Sequence, residues 1–272
     1  MSSIISEATG FTARIQRLRD QVIGTKPTIC PGRARIYTEV YREHEAKPVI
    51  TRRAIALDRT LREMSIFIED EALIVGNHAS AIKAAPIFPE YAVEWIEKEI
   101  DEFEKRPGDR FHPSPAVKKE LLEICSFWHG KTTLEKGRAL MGDHLRAIHG
   151  AGIIRAEGNL TSGDAHIAVD DRRILAEGLD AYVDRVLGRL YQVDTSRRQG
   201  IKKRSFYEAV LMALSALQAF ILRFADLAAE EQFTAESKER RRELELIEAN
   251  CRRIAHEPPH TFYEALQLTY FV

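Results

Sequence analysis

Apolar positions recur every three or four residues along most of this chain, and the runs are bracketed by residues that start or stop helices. In FTARIQRLRDQVIG, Ile15, Leu18 and Val22 share a face, and Gly24 offers a left-handed cap. Pro31 can open a second helix through Tyr37 and Val40, and a third runs from about Ile50 to Met64. Helices are predicted again over Tyr91–Lys105 and Pro115–Phe127, the latter with Ser114 as N-cap. Thr132 and Glu135 have the capping-box spacing for a helix toward Ile148, and Asp170 can cap one from Asp171 to about Leu190. A basic linker, SRRQGIKKR, precedes a second capping-box pair, Ser205 and Glu208, and a helix to Ala229. A charged helix spans Ala235 to about Ile254, and Thr261 with Glu264 starts the last one, TFYEALQLTYFV.

The period changes in SIFIEDEALIVGN. Two short, partly β-branched runs, Ser65–Ile68 and Leu73–Gly76, flank an acidic turn and predict a small hairpin. The following NHASAIKAAPIFPE reads as coil, punctuated by Pro86 and Pro89. The fold class expected is therefore mainly α with a small β-hairpin. The stretch Ala209–Leu222 is apolar around most of its circumference, which predicts a core helix with neighbours on all sides. It is shorter than the roughly 20 apolar residues of a membrane span. The final helix carries no written stop at Tyr270–Val272, so the chain reads as the first part of something longer.

Composition narrows the classes. With 40 basic and 41 acidic residues the formal net charge is −1, which gives no excess of clustered cations for nucleic acid. Three widely spaced cysteines, Cys30, Cys125 and Cys251, form no CxxC pair, and this disfavours a disulfide framework or a zinc site and fits a reducing cytoplasm. Cys125, beside Leu121, Leu122 and Ile124, is expected to be buried and inert. No phosphate-binding glycine loop and no GxSxG elbow occurs. The remaining histidines, including His144 and His149 at a spacing of five, do not make a metal motif.

One segment interrupts the helices with concentrated polar chemistry: EGNLTSGDAHIAVD, residues 157–170. Its glycines and small polar residues can serve simply as a well-satisfied connection between two helices. They can also serve chemistry. Asp164 and His166 lie two apart, so an extended backbone sends both side chains to one face. An imidazole with an ordinary pKa of roughly 6.5 is a usable proton partner near neutrality, and a neighbouring carboxylate can orient a hydroxyl or take its proton.

Blocks in a fixed order, PVITRRAIAL, SIFIEDEALIVGNHAS with APIFPEYAVEWIEKEID, GIIRAEGNLTSGDAHIAVD and AHEPPHTFYEALQLTYFV, resemble the N-terminal part of glycyl radical enzymes of the pyruvate formate-lyase-like group. The similarity covers nearly all of residues 1–272 and is greatest to the formate acetyltransferase and glycerol dehydratase-like branch. It implies the N-terminal helical part of a homodimeric α/β-barrel lyase, dehydratase or acyltransferase acting on a small polar metabolite. It further implies a glycyl radical near the C-terminus, installed by a radical S-adenosylmethionine activating enzyme and passed to a cysteine. By the same resemblance His166 binds a substrate hydroxyl, with Asp164 and Ser162 beside it; Ala165 stands where several relatives have glycine. The family's cysteine two residues before a glutamate is not matched, since Gly32, Phe127 and Arg253 stand at that distance. The resemblance thus implies a portion that supplies substrate-pocket residues and is inactive on its own; the alternative reading is a non-catalytic helical interaction module or a truncated gene product. No membrane or nucleic-acid partner is expected.

Overall fold

Local capping chemistry fixes several helix starts. The computed structural model describes residues 11–153 and 169–272. Thr12 caps α1 (Ala13–Gly24), Ser114 caps α5 (Pro115–Trp128) and Ser237 caps α10 (Lys238–Ile254), each side chain accepting from a first-turn N–H. Full capping boxes open α6 (Thr133–Ala139) and α11 (Phe262–Phe271), as the Thr132/Glu135 and Thr261/Glu264 spacings predict. The other helices are α2 (Gly32–Glu43), α3 (Val49–Glu63), α4 (Glu94–Glu99), α7 (Asp143–Gly150), α8 (Asp171–Tyr191) and α9 (Arg198–Glu231).

Several boundaries differ from the sequence reading. The Tyr91–Lys105 segment is α4 plus a 3-10 turn at Phe103–Lys105, and the helix toward Ile148 breaks between α6 and α7. SRRQGIKKR is mostly helix rather than linker. Arg198 starts α9, and its Arg, Lys and Gln are good helix formers, so the Ser205/Glu208 pair lies inside the helix. Gly24 is the last residue of α1, and the chain leaves it through an extended Thr25 without a left-handed cap.

The expected hairpin is absent. The only strands among the described residues are β1 (Thr28–Cys30) and β2 (Ala84–Pro86), which pair in parallel with Ile29 opposite Ala85. Residues 65–77 satisfy their backbone through side chains instead. Asn77 donates to the carbonyls of Ser65 and Ala79, at 2.9 and 2.6 Å. Arg240 reaches the carbonyls of Glu69 and Ala72, and Arg14 that of Glu71, all at 2.9 Å. The buried Gln267 amide accepts from Val75 N–H at 2.8 Å and donates to Val75 C=O at 2.7 Å, as a neighbouring strand would. Replacing it by Leu (Gln267→Leu) leaves two buried backbone groups unpaired, so we expect a loss of about 2–3 kcal/mol. Urea unfolding measures that loss, and hydrogen exchange should show the Val75 amide deprotected.

Two cores result. The first gathers Ile29, Val40, Ile96, Phe103, Leu121 and Trp128 from β1, α2, α4, the 3-10 turn and α5. Its buried indole N–H donates to Thr38 Oγ1 at 2.8 Å, and Thr38 in turn donates to the Ala34 carbonyl. The second packs α8, α9, α10 and α11 around Leu179, Ile221, Phe224, Ile247, Ile254 and Leu268. Helix α3 belongs to both: Ala56 is buried in the first, while Leu61 and the C-cap residue Met64 pack against the second. Helix α9 runs 34 residues, long and apolar enough by composition to cross a bilayer, but it lies against α3, α8 and α10. It buries Ala216, Phe220, Ile221, Phe224, Ala225 and Ala228 along one side and leaves much of the rest partly exposed, so it is a core helix on one face and not all round.

Candidate functional site

Ser162, Asp164 and His166 lie outside the described residues. The elements on either side of that segment are described. α7 ends at Gly150, and the exposed Ile153 follows. On the far side Asp170 accepts from Arg173 N–H and caps α8, as its position predicts.

α8 is held to the second core by a break in its own helix. Gly178 takes φ 76° and ψ 175°, and the backbone of His256–Pro258 packs directly on its α-carbon. Asp180 N–H donates to the His256 carbonyl at 3.0 Å. The Asp180 carboxylate sits 3.0 Å from His256 Nδ1 and accepts from Gln218 Nε2 at 2.6 Å, while the same amide nitrogen donates to the Ala255 carbonyl. His256, to which the sequence assigns no role, therefore joins α8, α9 and the end of α10.

The cysteines are placed for packing. All three are buried. Burial pushes the Cys125 and Cys251 thiols up to about 12, so both stay protonated near neutrality and lack the thiolate needed for nucleophilic or metal chemistry. Among the described residues no group of three His, Cys, Asp or Glu side chains converges to hold a metal.

One concavity lies on the first core. A cavity of about 960 Å³ opens between α4, β2, the 3-10 turn and α6, walled by Phe88, Trp95, Phe103 and Phe111. Beside it lies a buried ion pair. Arg33 donates to both Glu90 carboxylate oxygens, at 2.5 and 3.1 Å, and to the Ile87 carbonyl at 3.2 Å. The rings of Tyr37 and Phe88 lie 3.7 and 3.9 Å from the guanidinium carbon. Burial opposes the Arg33 charge, but the Glu90 carboxylate outweighs it and holds the guanidinium above its ordinary range. The Tyr37 hydroxyl is raised by burial. The sequence gives no sign of this constellation, because its partners are 57 residues apart and no local period links them.

Comparison with known proteins places the whole chain. The pyruvate formate lyase-like family model matches residues 7–272. The chain is 43% identical over 247 residues to the probable dehydratase YbiW of Escherichia coli, covering 91% of this chain and 30% of the relative. It is 34% identical over 263 residues to the (2S)-3-sulfopropanediol dehydratase of Klebsiella oxytoca, covering 95% and 32%. The glycerol-bound B12-independent glycerol dehydratase of Clostridium butyricum superposes with a TM-score of 0.92 at 30% identity, over 97% of this chain and 34% of that one. The chain thus spans about a third of the length of these relatives. With a match across nearly every residue and the same helical architecture, the chain belongs to the pyruvate formate lyase-like family of glycyl radical enzymes.

Proposed function

We propose that this chain forms one side of the substrate pocket of a glycyl radical dehydratase acting on a small hydroxylated metabolite. The observation that carries the reading is the 0.92 superposition on a glycerol dehydratase, joined to 34% identity with a dehydratase of a sulfonated diol. Both relatives, by their names, remove water from short polar substrates.

Within that reading the chain's own residues do positional and proton work. His166 hydrogen-bonds a substrate hydroxyl and, when protonated, gives the leaving oxygen the proton it needs to depart as water. Asp164, two residues away, holds the imidazole or accepts a second hydroxyl proton, and Ser162 adds a hydrogen bond that fixes the diol. The capped start of α8 and its Gly178 lock give the segment a fixed anchor. The radical, which supplies hydrogen abstraction at substrate carbon, is assigned to none of this chain's buried cysteines. A radical S-adenosylmethionine activating enzyme, a homodimeric assembly and a cytoplasmic, anaerobic setting complete the proposal.

The test uses the whole enzyme, activated without oxygen, with radical yield read by electron paramagnetic resonance. His166→Ala should lower turnover of a short diol by about 10- to 100-fold, the worth of one hydrogen bond to a charged group, with the radical signal unchanged. Equal turnover in the variant overturns the assignment.

A further inference from the structure

Helix α1 rests on the molecule without entering its cores. None of its residues is buried, and none belongs to either large apolar cluster. Its apolar side chains do not hold it, since Ile15, Val22 and Ile23 are 44, 43 and 61% exposed. Among the described residues, and apart from its own caps, every polar bond from α1 to the rest of the chain comes from Arg14 or Arg17. Arg14 donates to the Glu71 carbonyl at 2.9 Å and to both carboxylate oxygens of Glu243. Arg17 donates to both carboxylate oxygens of Glu71, at 2.5 and 3.1 Å.

The receiving side is fixed without α1. Arg240 donates to Glu243 at 3.1 Å and to the carbonyls of Glu69 and Ala72. Burial opposes the Glu243 charge, but hydrogen bonds from Arg14 and Arg240 outweigh it and hold the carboxyl below its ordinary range. Beneath α1 lies space rather than packing: a cavity of about 700 Å³ has Arg14 and Arg17 on one wall and Ile68, Glu231, Ser237 and Leu244 on others. A helix of 12 residues is marginal on its own in water, so α1 keeps its helical form only while docked. Pairs between exposed charges weaken as salt rises, whereas apolar burial does not, and the Arg17 side chain is 58% exposed.

We propose that α1 is a strap held by charge, which lifts off and unwinds as a unit while both cores stay folded, and which opens the cavity beneath it. None of the residues involved belongs to the 157–170 segment, and the test reads exchange and labelling, so this inference stands or falls separately from the dehydratase reading.

Hydrogen exchange of the full chain, read by mass spectrometry, tests it. Between about 0.05 and 1 M sodium chloride the α1 amides should come to exchange several-fold faster, while those of α9 and α10 keep their protection. At low salt, Arg14→Ala together with Arg17→Ala should speed α1 exchange by about ten-fold or more, the worth of the charged hydrogen bonds removed. Arg19→Ala is the control, because the one ion pair of Arg19 is to its neighbour Asp20, at 3.7 Å, and it should leave α1 unchanged. A thiol placed on the cavity wall by Glu231→Cys should react with a maleimide several-fold faster once both arginines are removed, against native cysteines that are all buried. The salt series needs no variant, so it decides even if a substituted chain fails to fold. Exchange of α1 that ignores both salt and the double change, opening of α1 and α9 together, an equal effect of Arg19→Ala, or unchanged labelling overturns the proposal.

Discussion

Arg33→Ala should cost about 3–5 kcal/mol of stability, because it strips the partner from a buried carboxylate and leaves the rest of the site in place. The Arg33 and Glu90 side chains are 14% and 6% exposed, so water cannot take over from the guanidinium. The same change releases the Ile87 carbonyl and vacates the slot between the Tyr37 and Phe88 rings. Urea denaturation should show a lower midpoint with an unchanged slope, the mark of lost stability without a changed unfolded state. The double variant Arg33→Met with Glu90→Leu removes both charges at similar volume and should recover most of the loss. If Arg33→Ala alone is nearly neutral, Glu90 is not isolated from solvent as the structure describes.

Gly178→Ala should cost about 3–4 kcal/mol, through backbone strain and steric conflict together. A β-carbon there would sit 2.6 Å from the Glu257 carbonyl carbon and the Pro258 nitrogen, and 2.8 Å from the His256 oxygen. None of these is a flexible side-chain tip, so the 256–258 turn must move away. That movement breaks the Asp180 to His256 backbone bond and separates His256 from the Asp180 carboxylate. Gly188 provides the opposite case on the same helix, where an added methyl would meet nothing within 4 Å. Gly188→Ala should stabilise by roughly 0.5–1 kcal/mol through helix propensity alone. Thermal unfolding of the two variants should therefore shift in opposite directions.

What the sequence discloses is local. Ser114, Thr132 and Thr261 act within three residues of their own position, and all three cap the helices that their spacing indicates. The mainly helical class follows from the same periodicity. The 65–76 region misleads because its β-branched composition is real, but its hydrogen-bond partners are Gln267, Arg240 and Asn77 side chains, up to 192 residues away. The parallel pairing of Thr28–Cys30 with Ala84–Pro86 is equally invisible, since three-residue strands leave no period to read. Basic residues 198–204 resemble a solvated linker by charge, yet their helix propensity and the long apolar continuation draw them into α9. For the site, the polar segment is conspicuous in sequence, whereas the cavity is assembled from residues whose types are ordinary one at a time.

Helix α3 spans about 22 Å at 1.5 Å per residue, and its two halves are cemented into different cores. A rod of that kind is a strut between them. Its contacts run from α2 on one side to α9 on the other, so α3 ties the layer that frames Arg33 to the longest helix. The two cores are therefore joined through one helix, although the apolar clusters themselves are separate.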